Sequence, residues 1–167
     1  MNKNKLTILT LSAAVFFASC RKNDLQHQEN QNVPEPTAAT KAWTPANSWN
    51  TAKLDKFTVY SGAIADKSIS SDVADKGLVL VFKKNGDSVQ SLPYEEKGAN
   101  DAYWYYQVSN GEIAINCDNY GAEQKLNDNT FQYFVISAEQ LTALEAKGYS
   151  SFKLLQLSFE EATALLK

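Results

Sequence analysis

Residues that carry out common covalent and metal chemistry are scarce in this sequence. The 167 residues include two cysteines, Cys20 and Cys117, and one histidine, His27. Because His27 lies in a polar segment near the N-terminus, the rest of the chain has no imidazole for a catalytic triad, a zinc site or general-base catalysis. We therefore expect neither a metal nor a cofactor in the folded part.

An excess of basic residues is also lacking. Lys and Arg number 16 against 19 Asp and Glu, so the formal net charge is -3. A protein that binds nucleic acid neutralises phosphates with a basic patch, and no such patch is apparent. The sequence predicts no nucleic-acid partner.

No apolar run is long enough to span a bilayer. The first, Leu6–Phe17, follows Lys3 and Lys5 and has 12 residues, whereas a helix that crosses about 30 Å of hydrocarbon needs roughly 20. A short apolar run behind positive charges predicts a signal peptide over residues 1–19. The alternatives are a lipoprotein signal and an ordinary secretory signal that is cut elsewhere.

The junction "FASC", which ends at Cys20, favours the first alternative. It resembles a lipobox, the bacterial lipoprotein signal in which the chain is cleaved before a cysteine whose thiol becomes diacylated. Small residues precede the cut, as the peptidase requires. The sequence thus predicts a lipid on Cys20, the membrane as a partner, and a location in the cell envelope, on the periplasmic or the outer side of the outer membrane.

A polar spacer follows the predicted anchor. Residues 20–42 are rich in Gln, Asn, Pro and Thr and have almost no large apolar side chains, so they cannot bury enough surface to fold. We expect a flexible tether, with the folded domain over residues 43–167. Cys117 then has no disulfide partner in that domain and, without a histidine to activate it, is expected to be a half-buried structural side chain at a strand end.

Short apolar segments at close spacing predict strands in this domain. They are Leu54–Tyr60, Leu78–Phe82, Val89–Leu92, Tyr103–Val108, Glu112–Cys117, Thr130–Ser137 and Phe152–Leu157. Asn85-Gly86 and Asn110-Gly111 suit type I′ turns and predict two hairpins, and Pro93 ends the strand before it.

Two short helices are predicted near the C-terminus. Ser137 with Gln140, and Ser158 with Glu161, fit capping boxes at the start of helices over 138–146 and 159–166. The fold class is therefore mainly β, an antiparallel β-sandwich-like domain with two short C-terminal helices.

The strand signatures also resemble a known group. "KGLVLVFKKNGDSVQSLPY", "YWYYQVSNGEIAI", "FQYFVIS" and "LSFEEATALL" are similar to an uncharacterised small domain of Bacteroidetes envelope lipoproteins, which sometimes follows collagen-like repeats. The resemblance covers roughly residues 50–167 and implies a β-sandwich-like domain without known catalytic residues. No collagen-like repeat is present in this chain.

The stretch "AYWYYQ" offers the candidate ligand site. In a strand, Trp104, Tyr106 and Val108 share one face, and Tyr103, Tyr105 and Gln107 share the other. The first face is expected in the core. Tyr103 and Tyr105 are either a stacking platform for a sugar ring, or a face that is covered by a helix or simply lines the sheet, where aromatic residues are common.

Other polar residues favour ordinary surface chemistry. The loop Asp118–Asn129 offers oxygen ligands that calcium accepts, but its spacing matches no EF-hand and is typical of turns. Neighbouring acids such as Glu95 and Glu96 point to opposite faces of a strand and are expected on the solvated surface.

Two classes of function follow. The first is a non-enzymatic binding or structural module displayed by an envelope lipoprotein, with a glycan or an envelope protein as its candidate partner. The second is a carbohydrate-active enzyme that works with carboxylates alone, or a glycan-binding component of a polysaccharide-uptake system.

Overall fold

Two antiparallel sheets pack face to face in this computed structural model, which describes residues 38–99 and 101–167. The strands are β1 (Ala39–Thr40), β2 (Asn47–Lys53), β3 (Thr58–Ala65), β4 (Leu78–Asn85), β5 (Ser88–Ser91), β6 (Tyr94–Glu96), β7 (Ala102–Ser109), β8 (Glu112–Asn119) and β9 (Asn129–Ile136). One sheet has the order β1-β9-β4-β5 and the other β2-β3-β8-β7-β6. The mainly β, sandwich-like fold class predicted from the sequence is confirmed.

Four helices complete the described part of the chain. They are α1 (Ser71–Lys76), α2 (Ala138–Ala146), α3 (Ser151–Leu154) and α4 (Phe159–Leu166). Both predicted capping boxes are present, with Ser137 and Ser158 as N-caps of α2 and α4. None of the helices in these ranges has the length and apolar character that a bilayer crossing requires.

The four-stranded sheet is buried on both faces, which explains its long apolar runs. Val79 and Val81 on β4 pack toward the five-stranded sheet, whereas Leu80 and Phe82 pack toward the C-terminal helices. The structure therefore has three layers with two cores. The core between the sheets includes Tyr60, Ile64, Trp104, Ile113, Ile115, Cys117, Phe131 and Tyr133, and the core under the helices includes Phe134, Ile136, Leu144, Leu154, Ala162 and Leu166.

Two predicted strands are wrong in part or in whole. Leu54–Phe57 is not strand but the turn of the β2–β3 hairpin, closed by a 2.9 Å bond from Leu54 N to Phe57 O. The segment Phe152–Leu157 is not extended: its first half belongs to the short helix α3 and a turn follows, because Ser150 caps α3 by accepting a hydrogen bond from the Lys153 amide. Of the four residues of α3, only Leu154 is buried. One buried side chain in four suits a helical turn, whereas a half-buried strand would bury every second side chain.

The Asn-Gly hairpins form, but not with type I′ turns. Gly86 and Gly111 have positive φ values of 58° and 81°. Among the non-glycine residues of the described ranges, Ser48 alone has a positive φ. Asn85 pairs with Ser88, so Gly86 and Asp87 form the first turn. Each turn thus uses one left-handed glycine and not two left-handed residues.

Part of the segment assigned to the tether is ordered. Ala38 is buried, and Ala39 and Thr40 pair with Val135 and Phe134 of β9. Nearby, the Nζ of Lys41 lies 3.3 Å from the Asp66 carboxylate. The ordered domain therefore includes residues 38–42, and the rest of the predicted tether, with Cys20 and His27, lies outside the described residues.

Candidate functional site

The β7–β8 hairpin places the candidate ligand residues on the outer face of the five-stranded sheet. Ser109 pairs with Glu112 around Asn110-Gly111, and the register continues through Trp104 opposite Cys117 to Ala102 opposite Asn119. Because side chains alternate along a strand, this register sends Trp104 into the core and its neighbours outward. Trp104 is completely buried, whereas Tyr103 is 39% exposed.

Tyr103 and Tyr105 stand side by side on that outer face. Their ring centroids are 5.5 Å apart and their planes differ by 23°, so the two rings form one nearly continuous aromatic surface. The Tyr105 hydroxyl donates to the Asp118 carboxylate over 3.4 Å. Burial raises the pKa of Tyr105, and the nearby charge of Asp118 raises it further, so the phenol remains a neutral donor at physiological pH.

A polar row continues from the aromatic pair across the sheet. Asn116 on β8 lies opposite Tyr105 on one side and Ser61 of β3 on the other. The Ser61 hydroxyl donates to the Asn116 side-chain oxygen over 2.8 Å. Aromatic surface bordered by hydroxyl and amide groups is the usual composition of a site that binds an amphipathic ligand.

The C-terminal helices do not cover this surface. They pack against the four-stranded sheet, on the opposite side of the sandwich, through Phe82, Phe134 and Ile136. These helices therefore do not cover Tyr103 and Tyr105, and the interpretations that remain are a ligand platform and an aromatic face that simply lines the sheet.

An open depression of about 590 Å³ lies beside the aromatic pair, at the β6 edge of the sheet. Its lining combines two tyrosines with charged side chains: Glu95, Glu96, Lys97, Asp101, Tyr103 and Tyr120. Tyr120 is 54% exposed and rests on Phe57, with ring centroids 5.0 Å apart. The depression thus extends the exposed aromatic surface of the sheet to a second, separately supported ring.

Glu96 connects the depression to a polar cluster in the core. Its Oε2 accepts hydrogen bonds from Trp104 Nε1 over 3.2 Å and from the Tyr94 hydroxyl over 3.3 Å. The same oxygen lies 3.6 Å from the Nζ of Lys83. We call Lys83, Tyr94, Glu96 and Trp104 the charged core cluster.

Lys83 is the unusual member of this cluster, because its side chain is only 3% exposed. Its Nζ donates to the Tyr94 hydroxyl over 2.8 Å and lies 4.1 Å from the centroid of the Trp104 ring, a favourable position for a cation. Burial lowers the pKa of Lys83, while the charge of Glu96 opposes that change. A buried ammonium is costly unless it is paired, and Glu96 supplies the countercharge.

Cys117 lies next to the same cluster and is chemically protected. It is completely buried within β8, not half-buried at a strand end as the sequence suggested, because its side chain points into the core between the two sheets. Burial raises the pKa of its thiol from 9.0 to about 12. A thiol so far from ionisation is a poor nucleophile, and the structure describes it as free.

Polar side chains of the loop Asp118–Asn129 form hydrogen bonds to backbone carbonyls. The Asn119 amide donates to Ala122 O over 2.9 Å, and the Asn129 amide donates to Lys125 O over 3.0 Å. In the described ranges, no group of three or more His, Cys, Asp or Glu side chains is arranged to hold a metal ion.

Sequence reasoning found Tyr103 and Tyr105 but missed Lys83, Glu96 and Tyr120. The alternation along β4 does contain a signal for Lys83, since it continues the inward set Val79 and Val81. For Glu96, the expectation of a solvated surface acid was wrong: its side chain is 27% exposed and hydrogen-bonded to the core.

No protein-family model, curated protein or solved structure matches this chain.

Proposed function

We propose that this protein is a non-enzymatic binding module, held at a cell-envelope membrane by a lipid on Cys20, which takes its ligand on the outer face of the five-stranded sheet. The observation that carries the proposal is the paired Tyr103 and Tyr105 rings on a face that the helices leave uncovered. Exposed, rigid tyrosines give a large contact area at a low entropic cost. Buried or isolated tyrosines would not support a binding role.

The layered architecture supports the same assignment. The C-terminal helices pack on the outer side of the four-stranded sheet, and β1 lies at that sheet's edge. These elements therefore leave the outer face of the five-stranded sheet open. A tethered domain with this arrangement can engage an extracellular or periplasmic polymer while the lipid remains in the membrane.

Binding of the purified full-length chain, in mild detergent, to a panel of soluble polysaccharides tests the proposal. Affinity electrophoresis should show retardation by at least one polymer, and Tyr105→Ala should abolish it. Phe152→Ala is the matched control, since Phe152 is a 70% exposed aromatic residue on α3 and its removal should leave retardation unchanged.

Product analysis in the same samples tests the enzymatic alternative. The proposal predicts that the polymer chains keep their length. Release of oligosaccharides that is lost in Glu96→Gln would instead identify a carbohydrate-active enzyme, and equal retardation of wild type and Tyr105→Ala would exclude the tyrosine face as the site.

A further inference from the structure

The depression beside the tyrosine pair has a composition that selects among ligands. We infer that it holds an uncharged, hydroxyl-rich chain, a neutral carbohydrate, and that Glu96 is the acceptor which orients that chain. This inference rests on the proposed function and names the ligand class of the same site.

The contacts of Glu96 support this inference. Trp104, Tyr94 and Lys83 all engage its Oε2, whereas no hydrogen bond to Oε1 is present among the described residues. The carboxylate is therefore fixed in position before a ligand arrives, and it lines the depression. A fixed charged acceptor suits a ligand hydroxyl, because hydrogen bonds to charged groups are the stronger kind.

Most charges around the depression are paired with opposite charges of the protein itself. The buried ammonium of Lys83 compensates the negative charge of Glu96. The Nζ of Lys97 lies 3.1 Å from the Glu95 carboxylate. A cationic ligand would have to compete with these ammonium groups. An anionic ligand would meet three carboxylates and no unpaired ammonium in the lining, and like charges at close range disfavour it.

Aromatic side chains line the same depression as Glu96. Tyr103 and Tyr120 both line the depression, and Tyr105 extends the surface beyond Tyr103. A sugar ring has an apolar C–H face that packs on an aromatic ring and a rim of hydroxyls that donate to acceptors. Exposed tyrosine rings in the same depression as one fixed carboxylate match both properties.

Calorimetric titration of the full-length chain in mild detergent tests the inference with three kinds of probe: neutral polymers (laminarin, galactomannan and yeast mannan), anionic polymers (polygalacturonate and chondroitin sulfate) and oligolysine. We expect at least one neutral polymer to bind, and the other two kinds to bind at least tenfold more weakly. Glu96→Gln should weaken the neutral polymer by about tenfold or more, as expected for the loss of a charged acceptor. Glu112→Gln, which removes an exposed charge at the far end of β8, should not change the affinity.

The double variant Glu96→Gln with Lys83→Met guards against misfolding, because it removes both charges of the pair together. It should show the same loss of affinity as Glu96→Gln. Neutral-polymer binding that depends on Tyr105 but not on Glu96 would overturn the inference and leave the proposed function standing, as would preferential binding of an anionic polymer. Preferential binding of oligolysine would overturn it in favour of a basic peptide, and no binding of any probe would overturn both proposals.

Discussion

The Nζ of Lys83 lies 4.1 Å from the centre of the Trp104 ring, in the core between the two sheets. The ring covers the ammonium on one side, and Tyr94 and Glu96 satisfy it on the other. The cluster connects the four-stranded sheet, through Lys83, to the edge strand of the five-stranded sheet. It also fixes the side chain that lines the candidate site, so core packing and ligand binding share the same residues.

The charged core cluster predicts an asymmetry between its two ionic partners. Glu96→Gln leaves the buried ammonium without a countercharge and should lower the free energy of unfolding by about 2 kcal/mol, less than a fully buried pair would lose because Glu96 is partly exposed. Lys83→Met removes the desolvation cost and keeps the volume, so it should stay within about 1 kcal/mol of wild type or be more stable. Urea denaturation of both variants and of the double variant measures the coupling.

The control for this cycle is Lys84→Met, which changes the neighbouring lysine on the opposite face of β4. Lys84 lies 5.7 Å from the centroid of the Trp43 ring and does not contact Glu96. Its replacement should not interact energetically with Glu96→Gln. Equal losses for Lys83→Met and Glu96→Gln would contradict the predicted asymmetry, and a coupling energy near zero would show that the two charges do not stabilise each other.

The two faces of β7 predict opposite consequences for neighbouring aromatic residues. Trp104→Ala should cost about 3–5 kcal/mol, the range for large aromatic truncations in a core, since Trp104 is completely buried and also donates to Glu96. Tyr105→Ala should cost about 1 kcal/mol, the scale of one aromatic pair. Chemical denaturation compares them, and a larger loss for Tyr105→Ala would mean that the assigned faces are reversed.

The sequence predicts those parts of the site that depend on residues close together in the chain, and it does not predict those that depend on distant partners. The outward position of Tyr103 and Tyr105 follows from strand alternation and from a two-residue turn close by in sequence. Lys83 and Glu96 are different, because whether a charged residue is buried depends on a partner elsewhere in the chain. The alternation along β4 indicates that Lys83 faces the same way as Val79 and Val81, but it does not identify the acid that pairs with it. The Glu95-Glu96 pair does not itself reveal which member faces inward.

The same distinction explains the errors in the fold. The capping boxes of α2 and α4 are local signals, and both form. Phe152–Leu157 has the composition of a strand but no partner strand, and the cap at Ser150 prevails. Ala39–Thr40 has no strand signal of its own and is ordered because the exposed edge of β9 accepts it, which the polar composition of the segment does not reveal.

Buried ionisable groups predict a loss of stability in alkali. Burial raises the pKa of the Cys117 thiol from 9.0 to about 12 and that of the Tyr106 phenol from 10.0 to about 12. A raised folded-state pKa contributes stability that is complete below the unfolded-state pKa and declines as pH rises toward the folded value. The free energy of unfolding should therefore fall between pH 9 and 12, by about 1.4 kcal/mol per pH unit for each group that the unfolded chain has ionised.

Cys117→Ala separates the thiol from the phenols in this pH profile. Its free energy of unfolding should decline less steeply than that of wild type from the ordinary pKa of the thiol, 9.0, up to its folded-state pKa of about 12, because over that range the thiol is protonated in the folded chain and ionised in the unfolded chain. Lys83, whose pKa is lowered by burial, acts in the opposite sense, since its cost is relieved as pH rises. Stability that increases steadily up to pH 11 would show that the lysine, and not the thiol and phenols, dominates.

The proposed lipid anchor predicts how the full-length protein partitions between phases. Cys20 follows a short apolar run and two small residues, and a diacylated cysteine confers membrane affinity. After expression in a Gram-negative host, wild type should enter the detergent phase of a Triton X-114 extract and incorporate labelled palmitate. Cys20→Ser should incorporate none and its processed form should move to the aqueous phase, whereas Cys117→Ala should behave as wild type. Wild type that is processed at another position and remains aqueous would contradict the anchor and restore the ordinary secretory signal.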